Sequence, residues 1–180
     1  MISVGLDLSL TKTGFAIVND EGVVLSSGII KSKPGGDHPI DETQRIVKIA
    51  EEVMQTIDGA LPKTNPSIVC IEGLAFLAKG TSLVQLAGLN YLVRVLLNQF
   101  DWPFCIIAPM SLKKFITGSG KGDKDQMQMA VYKNYGHESL DNNECDAYAL
   151  SVCGLALLGK PLKKMIKPQE EVIQLLKKQL

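Results

Sequence analysis

Three carboxylates stand where apolar side chains would be ordinary. Asp7 interrupts the apolar run that opens the chain, in GLDLSLTKTGFAI. Glu72 ends the short apolar segment SIVCIE, and Asp146 lies in NNECDAYAL, at the start of a stretch otherwise rich in apolar residues. An unpaired carboxylate in a core is costly. No Lys or Arg shares these runs to neutralise the acids. If the strands that carry Asp7 and Glu72 are neighbours, the sheet brings the two acids together. A cluster of carboxylates without local cations implies a bound divalent metal, and an all-oxygen donor set favours Mg²⁺ or Mn²⁺. Two such ions, about 3.5–4 Å apart, activate a water and stabilise the leaving oxygen in phosphodiester cleavage. Taken singly, each acid is also compatible with a strand end or a helix cap facing solvent.

The elements that must position these residues follow from the apolar periodicity. Residues 2–7, 13–18 and 22–30 read as strands, with Asn19-Asp20-Glu21-Gly22 as the tight turn of a hairpin. Asp41 is expected to cap a helix in which Ile46, Ile49, Ala50, Val53, Met54 and Ile57 recur at three- and four-residue spacing. Residues 67–72 and 104–108 are short and wholly apolar, the pattern of strands buried on both faces. Helices are expected over 81–99, 111–116, 123–135 and 142–158. The order is a three-strand antiparallel meander followed by alternating strands and helices. That predicts an α/β fold, a mixed five-stranded sheet flanked by helices. Residues 1–159 are expected to form one nuclease-like domain, with 160–180 a basic tail ending in an amphipathic helix.

Bulk composition agrees with a globular chain. The chain has 180 residues, 46% of them hydrophobic and 21% charged, with a mean hydropathy of +0.12, which argues against disorder. The four cysteines, at 70, 105, 145 and 153, have no CxxC spacing, and a reducing, cytoplasmic compartment is expected. No leader pattern opens the sequence, and the longest apolar run, 147–158, is too short to cross a membrane, so no membrane association is expected. Net charge is zero but unevenly spread. Residues 1–60 carry nine acids against five bases, whereas residues 109–135 carry five lysines against two acids and residues 160–180 six against two. A polyanion partner is therefore compatible with the second half of the chain.

In conjunction these segments resemble the RuvC Holliday-junction resolvases of the RNase H-like superfamily. The resemblance spans roughly residues 2–158 and rests on GLDLSLTKTGFAI, IVCIEGLAF, APMSLKKFITGSGKGDKDQM and NNECDAYAL. It implies an RNase H-like fold, a homodimer, and Mg²⁺-dependent paired nicking of four-way or other branched DNA, with two ions per site and Mn²⁺ as a substitute. The matching metal-ligand positions are Asp7, Glu72 and Asp146. The family places Asp or His three residues before the last of these, where this chain has Asn143. An amide oxygen can bind a metal, but it is neutral and cannot act as a general base. Asn143 is thus open to being a ligand, a group supporting the ligands, or the mark of a catalytically weak variant. Asp141 and Glu144 lie close by, off the helix face that Asn143 shares with Asp146.

The same resemblance places Lys113 and Lys124 near the scissile phosphate, where a cation offsets charge that builds in the transition state. Lys114 and Lys121 would extend the DNA-binding surface. Phe76 falls where the family carries a wedge at the junction centre; a core or dimer-interface role suits it equally well. The segment 81–99 is apolar almost all round, and its Gly88 would admit a second helix, so dimerisation is expected there, with burial within one chain as the alternative. Thr11 and Thr13 read as turn chemistry, Gly14 as a small residue opening its strand, and His38 and His137 as surface residues. Two other functions remain open: a junction-binding protein without cleavage, motivated by Asn143, and an actin-like ATPase relative, whose opening phosphate loop has a similar pattern. GSGK at 118–121 fits a P-loop poorly, since Phe115 and Gly122 stand where Gly and Ser or Thr are needed.

Overall fold

A computed structural model describes residues 1–36, 38–74, 81–121 and 123–180. Phe76 lies outside the described residues. Five strands form one sheet: β1 (Ile2–Asp7), β2 (Lys12–Asn19), β3 (Val24–Lys31), β4 (Ile68–Glu72) and β5 (Phe104–Ile107), in the order β3-β2-β1-β4-β5. The β1–β2 and β2–β3 pairs are antiparallel; β1–β4 and β4–β5 are parallel. The meander and the two buried parallel strands are those expected from the sequence.

The helices are α1 (Pro39–Ala60), α2 (Thr81–Gln99), α3 (Pro109–Thr117), α4 (Lys124–Tyr135), α5 (Asn142–Leu157) and α6 (Lys167–Leu176). Helix α3 begins two residues before the expected 111, at Pro109, and the start of α1 is corrected as well. Helix α1 begins at Pro39, its cap is His38, whose Nδ1 accepts from the Ile40 N–H, and Asp41 lies in the first turn instead. Proline at the first helical position has no N–H to leave unsatisfied, so the helix starts there. Asp123, expected as the first helical residue, instead caps α4 with a reciprocal Gln126 contact.

Side chains alternate across a strand, so each strand serves two layers. On one face Val4, Leu6, Ile17, Val69 and Ile71 join Ile49, Val53 and Ile57 of α1 and Leu89, Val93 and Leu97 of α2. On the other, Ala16, Val18, Ile68, Cys70, Cys105 and Ile107 pack against α5, α3 and α6. Helix α5 is buried along nearly its whole length. All four cysteines are free and buried.

Two glycines explain how α5 lies so close to the sheet. A Cβ at Gly5 would come within 1.8 Å of the Ala147 carbonyl oxygen, and one at Gly14 within 2.0 Å of the Asn143 carbonyl oxygen. Gly14 is therefore more than a small opening residue: the helix backbone occupies the space a side chain would need.

The terminal segment is bound into the domain. Val172, Ile173 and Leu176 of α6 are buried in the α5-side core, and the buried Gln169 donates to the Phe115 carbonyl. Gln179 pairs with β5 through both ends of its amide, accepting from the Ile106 N–H at 3.0 Å and donating to the Ile106 carbonyl at 2.9 Å. It thereby satisfies an edge strand that would otherwise expose unpaired backbone. Among the described residues, no helix is long and apolar enough to cross a membrane.

Candidate active site

Asp7 and Glu72 share the α5-facing side of the sheet for a simple reason. Ser3, Gly5 and Asp7 point one way along β1, and Ile68, Cys70 and Glu72 point the same way along β4. The parallel register pairs Leu6 with Ile71, so the next residue on each strand is a carboxylate. Asp146 enters from the second turn of α5, which the Gly5 and Gly14 ledge holds against β1 and β2. The three acids line one cleft of about 330 Å³ together with Ser9, Lys113, Lys124 and Asn143. A larger cavity of about 920 Å³ lies elsewhere, between residues 31–36 and α1, lined by charges of both signs and by none of these acids.

The electrostatics reflect acids crowded together, with Lys113 and Lys124 offsetting only part of the effect. Asp7 is half-buried, and burial, then the charges of Glu72 and Asp146, push its carboxyl up to about 8. Burial and the Asp146 charge push Glu72 up to about 7. The close approach of the two carboxyls favours the proton on Asp7. Asp146 is raised by burial, against the pull of Lys124 and Lys113. Among the described residues, no three His, Cys, Asp or Glu side chains converge tightly enough to close on a single ion. The donor set still fits hard divalent cations: it is all oxygen, and its carboxylates face one another at the cost of raised pKa values.

Residues around α5 are committed to specific bonds. Asp141 caps α5 by accepting from the Asn143 N–H at 2.9 Å, and it pairs with Lys12 at 3.1 Å. Glu144 accepts from the Ser27 hydroxyl at 2.6 Å and from Ser139 at 2.9 Å. The Asn143 amide nitrogen donates to the Lys12 carbonyl. Thr13 closes the turn after β1, donating to the Ser9 carbonyl and accepting from the Ser9 N–H.

The structure brings Asp7, Glu72, Asn143, Asp146, Lys113 and Lys124 to one cleft. It places Lys114 and Lys121 in a neighbouring hollow, with Glu171, Val172 and Leu175. There Lys114 is paired with Glu171 at 2.6 Å, because α6 packs on α3. His137 is half-buried, with its ring stacked on Tyr148 at 3.9 Å, rather than a free surface residue. Asn90 and Gln128 went unremarked in the sequence. Asn90 is buried in α2 and donates to the Glu72 carbonyl, and Gln128 of α4 lines the cleft. An amide inside the apolar run of α2 was the available signal for the first; one glutamine among many gave none for the second.

A five-stranded mixed sheet with this order, helices on both faces and carboxylates at the ends of β1 and β4 defines an RNase H-like α/β protein. Solved structures agree on the fold. The chain superposes on Thermus thermophilus RuvC in complex with Holliday junction substrate with a TM-score of 0.71, at 20% identity over 89% of this chain and 97% of that one. It also matches the yeast mitochondrial Holliday junction resolvase Ydc2, with a TM-score of 0.55 at 10% identity over 99% and 84% of the two chains. The family model described as "Crossover junction endodeoxyribonuclease RuvC" matches residues 3–154. Among curated relatives, the crossover junction endodeoxyribonuclease RuvC of Prochlorococcus marinus (strain MIT 9211) is 31% identical over 138 residues, 74% of this chain and 80% of that protein. That of Anaeromyxobacter sp. (strain Fw109-5) is 30% identical over 159 residues, 87% and 73% respectively. The chain belongs to the RuvC family. Membership in a family of nucleases of this kind carries with it the use of a divalent metal.

Proposed function

We propose that the chain is a Mg²⁺-dependent endonuclease that resolves four-way or other branched DNA junctions by paired phosphodiester nicks, acting as a homodimer. The observation that carries this reading is the cleft itself, in which three carboxylates from β1, β4 and α5 face two lysines from α3 and α4. Asp7, Glu72 and Asp146, with the amide oxygen of Asn143, would hold two Mg²⁺ ions, for which Mn²⁺ substitutes. Such ions would supply a water of lowered pKa and charge stabilisation at the leaving oxygen. The chain's own contribution is positioning. The sheet register sets Asp7 against Glu72, and α5 presents Asp146 to both. Lys113 and Lys124 offset negative charge on the bound phosphate.

Dimerisation is supported by α2. Its buried side carries Leu89, Val93 and Leu97, whereas Val84, Tyr91 and Val95 are 71%, 62% and 50% exposed. With Gly88 they recur at 84, 88, 91 and 95, a single stripe along the helix. A Cβ at Gly88 would lie 3.6 Å from Ile46 of α1, an ordinary contact, so the glycine is no requirement of packing within the chain. Two copies joined through this stripe would present two clefts, as symmetric nicking needs.

The test is a labelled four-way junction with duplex and flap DNA as controls. Paired nicks near the crossover are expected in Mg²⁺, with loss of nicking in Asp7→Asn and Asp146→Asn. Equal cleavage by those variants would remove the metal-site assignment. Binding without nicking by the unaltered protein would leave a junction-binding role instead. Affinity should fall steeply as salt rises, because lysine–phosphate contacts release counterions.

A further inference from the structure

Asn90 is a polar side chain in an apolar place. It is 1% exposed, and its neighbours Leu89 and Val93 on α2 belong to the core shared with Leu6 and Ile71 of the sheet. A buried amide is costly unless its groups are bonded. Only one end of this amide is. Nδ2 donates to the main-chain carbonyl of Glu72 at 3.4 Å, and Oδ1 has no partner among the described residues. A leucine of similar size would fill the same place without that cost.

What the amide supplies is a donor at the end of β4. The Glu72–Gly73 peptide is trans, so its N–H and C=O point opposite ways. The Gly73 N–H donates to the Ile107 carbonyl of β5 at 2.8 Å, which turns the Glu72 carbonyl toward the β1 side. There the parallel ladder has already ended, at Leu6–Ile71. The carbonyl that terminates β4 thus has no donor from the ladder, and Asn90 takes that place. Fixing this peptide fixes the backbone from which the Glu72 carboxylate reaches the cleft.

We infer that Asn90 is a positioning residue for the reaction: it holds the end of β4 against α2 and so sets where Glu72 presents its carboxylate. The inference rests on the metal-dependent reading above and adds to it a residue outside the cleft. The same helix carries the exposed Val84–Tyr91–Val95 stripe, so one element serves both the cleft and the face assigned to the dimer.

Asn90→Leu removes the donor and keeps the bulk. Residue-resolved hydrogen exchange of the metal-free protein, thermal unfolding and Mn²⁺ titration calorimetry test the inference with this variant. It should unfold cooperatively near the melting temperature of the unaltered protein, since a half-bonded buried amide gives way to an apolar group. Its Gly73 N–H should exchange on the order of tenfold faster. The Val69 N–H, bonded to the Pro103 carbonyl at the other end of the strand, should keep its rate. Mn²⁺ binding should weaken on the order of tenfold. A folded Asn90→Leu in which either Gly73 protection or Mn²⁺ affinity is unchanged would overturn the inference. Asp7→Asn separates this from the metal-dependent reading: it should lose Mn²⁺ binding and leave Gly73 exchange as it is. If Asp7→Asn binds Mn²⁺ normally, that reading itself fails, while Gly73 exchange still decides whether Asn90 holds β4. Asn90→Ala removes the donor without adding bulk and provides the same comparison should the leucine variant not fold.

Discussion

At the scale of single residues, Asp7 and Glu72 dominate. Both carboxyls are raised in the folded protein, to about 8 and about 7, chiefly by burial; the charges of Glu72 and Asp146 raise Asp7 further, and that of Asp146 raises Glu72. A raised acid binds its proton more tightly folded than unfolded. Its stabilising effect is full below the ordinary carboxylate range and is lost as pH rises through the folded value. The metal-free protein should therefore lose melting temperature between about pH 5 and pH 8, and Asp7→Asn should flatten that slope in a melting series with chelator present. A series with no slope in the unaltered protein would contradict the crowding of these acids. The gain in melting temperature from Mg²⁺ should grow over the same range, because the ligands must shed their protons to bind. Lys124→Ala should lower junction cleavage on the order of 100-fold while leaving the urea midpoint nearly unchanged. Single-turnover rates close to those of the unaltered protein would remove Lys124 from the reacting centre.

At the scale of elements, the position of α5 decides the site. This helix carries Asn143 and Asp146, and it rests on β1 and β2 where Gly5 and Gly14 leave no side chain. Neither glycine has a positive φ, so the requirement is space and not backbone freedom. Gly14→Ala drives a methyl group into the Asn143 carbonyl, and neither backbone yields cheaply. A loss of at least about 2 kcal/mol in urea denaturation is expected, with cleavage impaired beyond what the lost stability explains. A variant as stable as the unaltered protein would mean that α5 is held less closely than the geometry requires. The stitching of the α5 start to β2 and β3, through Asp141–Lys12, Asn143 and Glu144–Ser27, serves the same end. Helices α3 and α4 supply the other half of the site, since Lys113 and Lys124 reach the acids only because both helices pack near α5.

At the scale of the whole molecule, two surfaces matter. The exposed Val84–Tyr91–Val95 stripe of α2 is expected to join two copies, and Tyr91→Glu should shift the protein toward monomer in analytical ultracentrifugation. A dimer unaffected by this charge would move the interface elsewhere. The terminal residues matter in a different way. A chain ending at Gly159 would expose the core surface now covered by Val172, Ile173 and Leu176. Each such side chain contributes about 1.5–3 kcal/mol by burial, a large share of the ordinary stability of a domain. We expect the truncated chain to melt far lower or to lose cooperative unfolding, as calorimetry would reveal. An unchanged melt would mean that the segment folds as an accessory.

Much of this protein could be read from its sequence because local signals carry local structure. Strand alternation, the Asn19–Gly22 turn and the helical period of 46–57 act between near neighbours, so the elements follow from them. Asp7, Glu72 and Asp146 could be picked out because an acid in an apolar run has no local means of being paired. Their common destination was inferred; their geometry was not. Sequence could not tell that Gly5 and Gly14 make room for α5, or that Glu171 takes up Lys114. Nor could it tell that the Lys12 carbonyl faces Asn143, or that α2 leaves one stripe uncovered. Each depends on contacts between residues tens of positions apart, which exist only once the sheet has closed and the helices have packed on it. The sequence determined which groups are available for the chemistry, and the tertiary structure decided which of them meet.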